Sequence, residues 1–262
     1  MKQPVNKKQR KELTVQQKIN RRSFISFAAL IGLYAAGYEA WRWLYKSPEE
    51  TADITGGVQK PLRRALNQNE LAFRKTFSND HLVKTYPKSM AAQNVRVNSK
   101  IGIDDDDFNP ESWMLIINKN DGGQLKLSLK DIKALPKTEI VYDFKCVEGW
   151  DQIQYWGGVS FRDFIAHYQL EDETKLNYVG FATPDEGYYV GIDMPSAMHP
   201  QTILAYEVNN RSLPMEHGYP LRLIIPVKYG IKNLKRIGTM SFNNERPPDY
   251  WAEQGYDYYS GL

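Results

Sequence analysis

The sequence predicts an α+β body dominated by mixed β-sheets with few helices. Three observations carry this. From Trp113 onward, short runs rich in β-branched and aromatic residues recur between turn signals. Helical patterning is confined to brief stretches between those runs. With 42% hydrophobic residues in a chain of 262, there is enough apolar side chain to bury a substantial core.

The N-terminus is of a different character. Residues 1–22 hold eight basic side chains against Glu12 alone and carry +7, whereas the other 240 residues hold 26 basic and 30 acidic side chains and carry −4. The formal +3 of the whole chain therefore belongs to a leader, and it argues against a nucleic-acid-binding body. Residues 1–20 read as disordered. Arg21-Arg22, followed by Ser23 and Phe24, resembles a twin-arginine export signal. The apolar segment 23–45 ends in Trp41, Trp43 and Tyr45, aromatic side chains suited to a membrane interface. Its 23 residues are long enough to span a bilayer. An anchor or an export signal is expected there, with the basic leader cytoplasmic and the body in the periplasm or an equivalent compartment. Residues 46–79 read as a linker and peripheral segment with a short helix over Lys60–Lys75. The main domain is placed at 80–262.

Within that domain, Asp104–Asp107 lacks the spacing of a calcium loop and reads as a solvated acidic turn. WMLIIN and QLKLSL flank Lys119-Asn120-Asp121-Gly122-Gly123 as a hairpin. A short helix is expected over Leu129–Leu135, a strand over Glu139–Phe144, and a helix over Val159–Tyr168 capped by Ser160. Later strands are expected at Tyr178–Thr183, Tyr188–Ile192, Ile203–Val208, Leu221–Pro226 and Leu234–Phe242. Neither the Gly-rich dinucleotide fingerprint nor a P-loop occurs.

Cys146 is the only cysteine. It excludes an intrachain disulfide, a CxxC pair and a cluster ligated by several cysteines. By residue type alone it reads as a small buried hydrophobe or as a soft ligand for a transition metal, with a His-Cys-Met copper site as one alternative. His217, Arg222, Lys228, Lys232 and Lys235 crowd into 19 positions, a set suited to an anionic ligand. A solvated basic edge is the alternative reading of that set. Gly218 and Gly230 among them suggest close backbone approach.

Several ordered stretches resemble the sulfite oxidase superfamily of molybdenum enzymes, most closely the bacterial branch that includes the catalytic subunit of the periplasmic methionine sulfoxide reductase system. They are FKCVEGW at 144–150, AMHPQTILAYEVNNRSLPMEHGYPLRLIIPVKYGIKNLKRI at 197–237 and ERPPDYWAEQGYDYY at 245–259. The resemblance runs from about residue 80 to the C-terminus. It implies a sulfite-oxidase-type molybdopterin-binding fold and a molybdenum–molybdopterin cofactor. One pyranopterin dithiolene would supply two sulfurs, and Cys146 would supply the protein ligand to molybdenum. His217 and Arg222 match the family's HG-x-P-x-R element at the cofactor. Lys228, Lys232 and Lys235 fall in the later basic element that supports the cofactor's tail, and His81 falls where the family's cofactor contacts begin. His199 matches the AMHP element and is expected to line or brace the pocket. Trp150 and Trp156 would wall it, and Tyr188 or Tyr189 would supply an active-site hydroxyl.

The family's sulfite-oxidising members place arginines around the substrate, one of them soon after the Cys. Here Val147-Glu148-Gly149 follows instead. The implied reaction is two-electron oxygen-atom transfer, with an S-oxide-like small molecule reduced and a membrane cytochrome as electron partner, since no CxxCH haem motif occurs in the chain. Sulfite oxidation and a non-catalytic, membrane-tethered pterin-binding module are the alternatives.

Overall fold

A computed structural model of the chain describes residues 14–47, 59–77, 80–104 and 107–262. The first 13 residues of the basic leader, the Gly56-Gly57 pair and two acids of the Asp104–Asp107 run lie outside the described residues. The chain divides into two units. One comprises residues 1–49 with 59–61, and the other is a body holding the rest.

The first unit is built on helix α1 (Val15–Lys46). It begins earlier than the apolar segment, so leader residues expected to be disordered are helical from Val15. The cause is local. Thr14 and Gln17 form a reciprocal capping box that satisfies otherwise orphaned N–H groups. Among the described residues α1 is the one helix long and apolar enough to cross a membrane, with a mean hydropathy of 1.3 in its best window. It buries none of its residues within the protein.

The body is two five-stranded sheets with short helices. One sheet has the order β2 (Gln124–Leu127), β1 (Leu115–Asn118), β10 (Thr239–Asn243), β5 (Tyr178–Ala182), β6 (Tyr189–Asp193). Its β1–β10 pair is parallel and the others are antiparallel. The second sheet runs β3 (Lys137–Lys145), β4 (Asp151–Ser160), β7 (Ile203–Val208), β8 (Arg211–Ser212), with β9 (Arg222–Ile224) also on β7. Helices α3 (Leu129–Lys133), α4 (Phe161–His167), α5 (Met194–Ala197) and α6 (Tyr250–Glu253) are short, and α2 (Lys60–Thr76) belongs to the body from Leu62 onward. This is the α+β architecture expected.

Two expectations need correction. β4, ten residues long, was not anticipated, because Asp151, Gln152, Gln154, Gly157 and Gly158 dilute its apolar alternation. It forms because it pairs with β3 from Asp151 to Val159 and with β7 on its other edge. Conversely, only the end of the Leu234–Phe242 run is strand. Residues 234–238 run as irregular backbone, with Arg236 in the left-handed region at φ +50° and Lys235 drawn to the Asn98, Ser99 and Glu216 carbonyls.

The larger core lies among Leu115, Ile117, Phe161, Phe164, Phe181 and Met240. A second core gathers Ile140, Tyr142, Phe144, Trp156, Ile203 and Ile224. Ile140, Tyr142 and Phe144 are spaced by two along β3 and therefore share a face. That face leads directly to Cys146.

Candidate active site

Cys146 closes β3 and opens the turn into β4. The Cys146 N–H donates to the Trp150 carbonyl at 2.9 Å, and the Gly149 N–H donates back to the Cys146 carbonyl at 3.1 Å. Gly149 sits at φ +83°, a left-handed conformation that glycine adopts freely. Cys146 is 6% exposed. Burial is the first cause pushing its pKa up, and the Glu148 charge adds to it. The Glu148 and Val147 backbone donors and Arg96 pull the other way.

The thiol borders a cavity of about 80 Å³ that is also lined by Asn98, Glu148, Tyr188, Lys235, Trp251 and Tyr256. Glu148 is held by the Trp150 indole, which donates to its carboxylate at 2.8 Å. Trp150 stacks on Phe144 at 5.8 Å and lies under the Arg96 guanidinium at 4.6 Å. Trp150 thus borders the open face of the Cys146 turn, beside Lys145 and Tyr229. Tyr188 and Tyr189 separate as neighbours in extended backbone do. Tyr188 borders the cavity and donates its hydroxyl to the Ile231 carbonyl at 2.5 Å. The Tyr189 hydroxyl is bonded to Glu253, which pushes its pKa up to about 12.

Around the second core, buried polar atoms lack protein partners. These are the Tyr142 hydroxyl, Gln154 Oε1, Trp156 Nε1, His217 Nδ1 and Arg222 Nε. They belong to one neighbourhood. Tyr142 pairs with Gln154 across β3–β4, Arg222 lies over Trp156 at 4.5 Å, and Trp156 meets His217 edge-on at 6.2 Å. Arg222 is 1% exposed and spends its other donors on the His217 and Asn233 carbonyls. No carboxylate among the described residues pairs with Arg222 or Lys235. Burial pushes Arg222 down to about 10 and Lys235 to about 7. A buried cation without a counter-charge is costly, and orphaned donors and acceptors are rare in native proteins. An anionic group with its own donors and acceptors completes both, so the residues present fit a pterin carrying a phosphate.

His217 supplies a test of this electrostatic state. Burial first, then the Arg222 and Lys235 charges, push its imidazole down to about 4 from 6.5. The folded value lies below the unfolded one, so stability present above about pH 6.5 is lost as the pH falls towards 4. The unfolding midpoint of the unloaded protein should drop across that window, and His217→Gln should flatten the drop, both read by a thermal melt at each pH.

Four expected residues sit elsewhere or act differently. The Lys228 ammonium pairs with Asp193 at 2.9 Å and donates to the Tyr259 carbonyl. Lys232 pairs with Asp249 and donates to the Gly191 carbonyl. Both are buried against the C-terminal residues, so neither is free for a cofactor tail. Lys235 does line the cavity, but it donates to the Asn98, Ser99 and Glu216 carbonyls and staples those segments together. His81 is exposed and does not line the Cys146 cavity; its carbonyl meets His199 Nε2 at 3.2 Å. His199, fully buried, is therefore a brace between segments. The close approach at Gly218 is to the protein itself. At φ +95°, a β-carbon there would meet Lys235 Cβ at 2.6 Å.

Asn98, Trp251 and Tyr256 were not anticipated in the cavity. Trp251 and Tyr256 lie within the tail stretch whose match was visible in the sequence, but an aromatic residue in a tail carries no sign of which pocket it closes.

The model of the oxidoreductase molybdopterin binding domain matches residues 101–251. The chain belongs to that family, so it is an oxidoreductase of the molybdopterin-binding class. Among curated relatives, the putative protein-methionine-sulfoxide reductase subunit YedZ1 of Azospira oryzae is 34% identical over 71% of this chain and 70% of its own. The protein-methionine-sulfoxide reductase catalytic subunit MsrP of Campylobacter jejuni is 33% identical over 59% of this chain and 58% of its own. The solved sulfane dehydrogenase SoxCD of Paracoccus pantotrophus aligns over 53% of this chain and 40% of its own at 19% identity and TM-score 0.48, a likeness too partial to bear on function.

Proposed function

We propose that this chain is the catalytic subunit of an S-oxide reductase, with a molybdenum–pyranopterin group held by Cys146 and the orphaned polar atoms around the second core. The observation that carries the reading is one juxtaposition. In a molybdopterin-binding family, a buried lone thiol borders a cavity lined by Lys235, and neither Lys235 nor the neighbouring Arg222 is ion-paired to a carboxylate among the described residues. Cys146 would be the thiolate ligand, while Arg222, His217 and Trp156 would hold the pterin and its phosphate. When bound, the group supplies two-electron oxygen-atom transfer. The balance is R₂S=O plus two electrons and two protons to R₂S and water.

The protein's own part is to exclude water, orient the substrate and bring protons. The cavity beside Cys146 presents a carboxylate, Glu148. An acid there repels sulfite and suits a neutral S-oxide. In the same reading, residues 23–45 anchor the protein, the +7 leader stays cytoplasmic, and the body faces the periplasm. The electrons then come from a membrane partner, for which a cytochrome is the natural class.

The test is to produce the full chain in a host that makes molybdenum cofactor. Metal analysis should give close to one molybdenum per chain, and reduced viologen should be oxidised when methionine sulfoxide is added. Molybdenum below about a tenth of an equivalent in folded protein would overturn the reading. Full loading with no turnover of any S-oxide would identify a non-catalytic pterin-binding module.

A further inference from the structure

The lining of the Cys146 cavity is of two chemical kinds. Lys235 is cationic, and Arg222 and His217 lie close enough to interact with its charge. The C-terminal residues 245–262 contribute Trp251 and Tyr256. Tyr256 is 42% exposed, so it stands where the cavity meets solvent, while its ring meets Trp251 edge-on at 5.2 Å. The Tyr256 N–H donates to the Trp251 carbonyl at 2.9 Å, and Arg63 of α2 donates to the Tyr256 carbonyl at 3.2 Å. The strap around them is pinned on both sides. Arg246 reaches Glu70 of α2 at 2.7 Å, Tyr259 stacks on Phe73 at 5.3 Å, and the Leu262 N–H donates to the Val227 carbonyl.

An anionic cofactor is drawn to the cationic residues, which leaves the aromatic ones for whatever enters from solvent. We propose that the C-terminal strap is the substrate-selecting wall of the cavity. In this arrangement the Tyr256 ring takes the alkyl–sulfur part of an S-oxide borne on a flexible aliphatic chain, Trp251 backs it, and α2 fixes its position. Sulfur and S-alkyl groups pack favourably on aromatic edges and faces, and a rigid aromatic ring offers contact area at low entropic cost. This inference rests on the S-oxide reading above.

The experiment uses full-length, molybdenum-loaded enzyme with reduced viologen and two substrates, a methionine-sulfoxide peptide and dimethyl sulfoxide. Tyr256→Ala should raise KM for the peptide about tenfold while kcat falls less than about threefold. Tyr256→Phe, which keeps the ring, should recover most of that loss. The smaller dimethyl sulfoxide, which covers less of the ring, should lose less. Molybdenum content and the unfolding midpoint are measured for each variant, and Tyr256→Leu replaces Tyr256→Ala if the latter does not fold. If the unaltered enzyme reduces S-oxides and Tyr256→Ala leaves the peptide KM unchanged, the strap proposal is overturned. An equal loss for both substrates in kcat, with KM unmoved, overturns it as well. If the unaltered loaded enzyme reduces no S-oxide, it is the underlying functional reading that fails.

Discussion

Replacing Cys146 with Ser is expected to abolish turnover, by at least about a thousandfold, and to strip most of the molybdenum from the purified protein while leaving its fold intact. The three parts of this expectation have separate causes. The turn around residue 146 is closed by backbone hydrogen bonds to Trp150 and Gly149 and by the φ of Gly149, none of which involves the thiol. Serine fits the same space, so the unfolding midpoint of the unloaded protein should move by no more than about 1 kcal/mol equivalent. The ligand property does not survive. A hydroxyl is a hard, weakly acidic donor where a soft thiolate is required. Metal analysis, viologen-linked turnover and a thermal melt on the same preparation separate these effects. Activity above about a tenth of the original, with molybdenum retained, would remove Cys146 from the role of ligand.

How much of this was legible in the chain depends on which kind of physics placed each residue. Cys146 could be singled out because it is unique, but its role as ligand came from the resemblance of the FKCVEGW stretch and not from its own neighbours. The hairpin β1–β2 and the Ser160 cap of α4 were readable because turn and cap chemistry act over a few residues. The basic cluster at 217–235 was readable as a cluster but not as a division of labour. Lys228, Lys232 and Lys235 differ by which partner they meet, and those partners lie far away in sequence. Asp193 and Asp249 are brought to Lys228 and Lys232 only when β6 and the C-terminal strap have packed. β4 escaped notice because its strand character comes from two neighbouring strands, not from its own residues. The wall formed by Trp251 and Tyr256 is the same case, since only the path of the strap gives those rings a cavity to face.

The Lys232–Asp249 pair makes the largest stability prediction, and it bears on how the strap is held. Lys232 is 1% exposed and Asp249 is 3% exposed. Asp249 does three things with one carboxylate. It pairs with the Lys232 ammonium, it accepts from the Gly191 N–H at 3.1 Å, and it caps α6 by accepting from the Ala252 N–H at 3.0 Å. The packing there is tight, for a β-carbon on Gly191 would fall 1.8 Å from the Tyr258 hydroxyl. Water cannot readily replace the lost carboxylate. Asp249→Ala therefore leaves a buried ammonium with no counter-charge and an uncapped helix. The expected cost is about 3–5 kcal/mol, a fall of roughly 10 °C in the unfolding midpoint. The double variant Lys232→Met with Asp249→Asn removes both charges, and its single amide oxygen keeps the cap on Ala252 while giving up the acceptor for Gly191. It should recover more than half of the loss, because an ion pair taken out whole costs far less than one left half-made. Equal destabilisation of the single and double variants would show that packing, and not the unpaired charge, dominates. Since α6 carries Trp251, the single variant should also loosen the aromatic wall, and the peptide KM should rise in step with the loss of stability while that of the double variant stays close to the original.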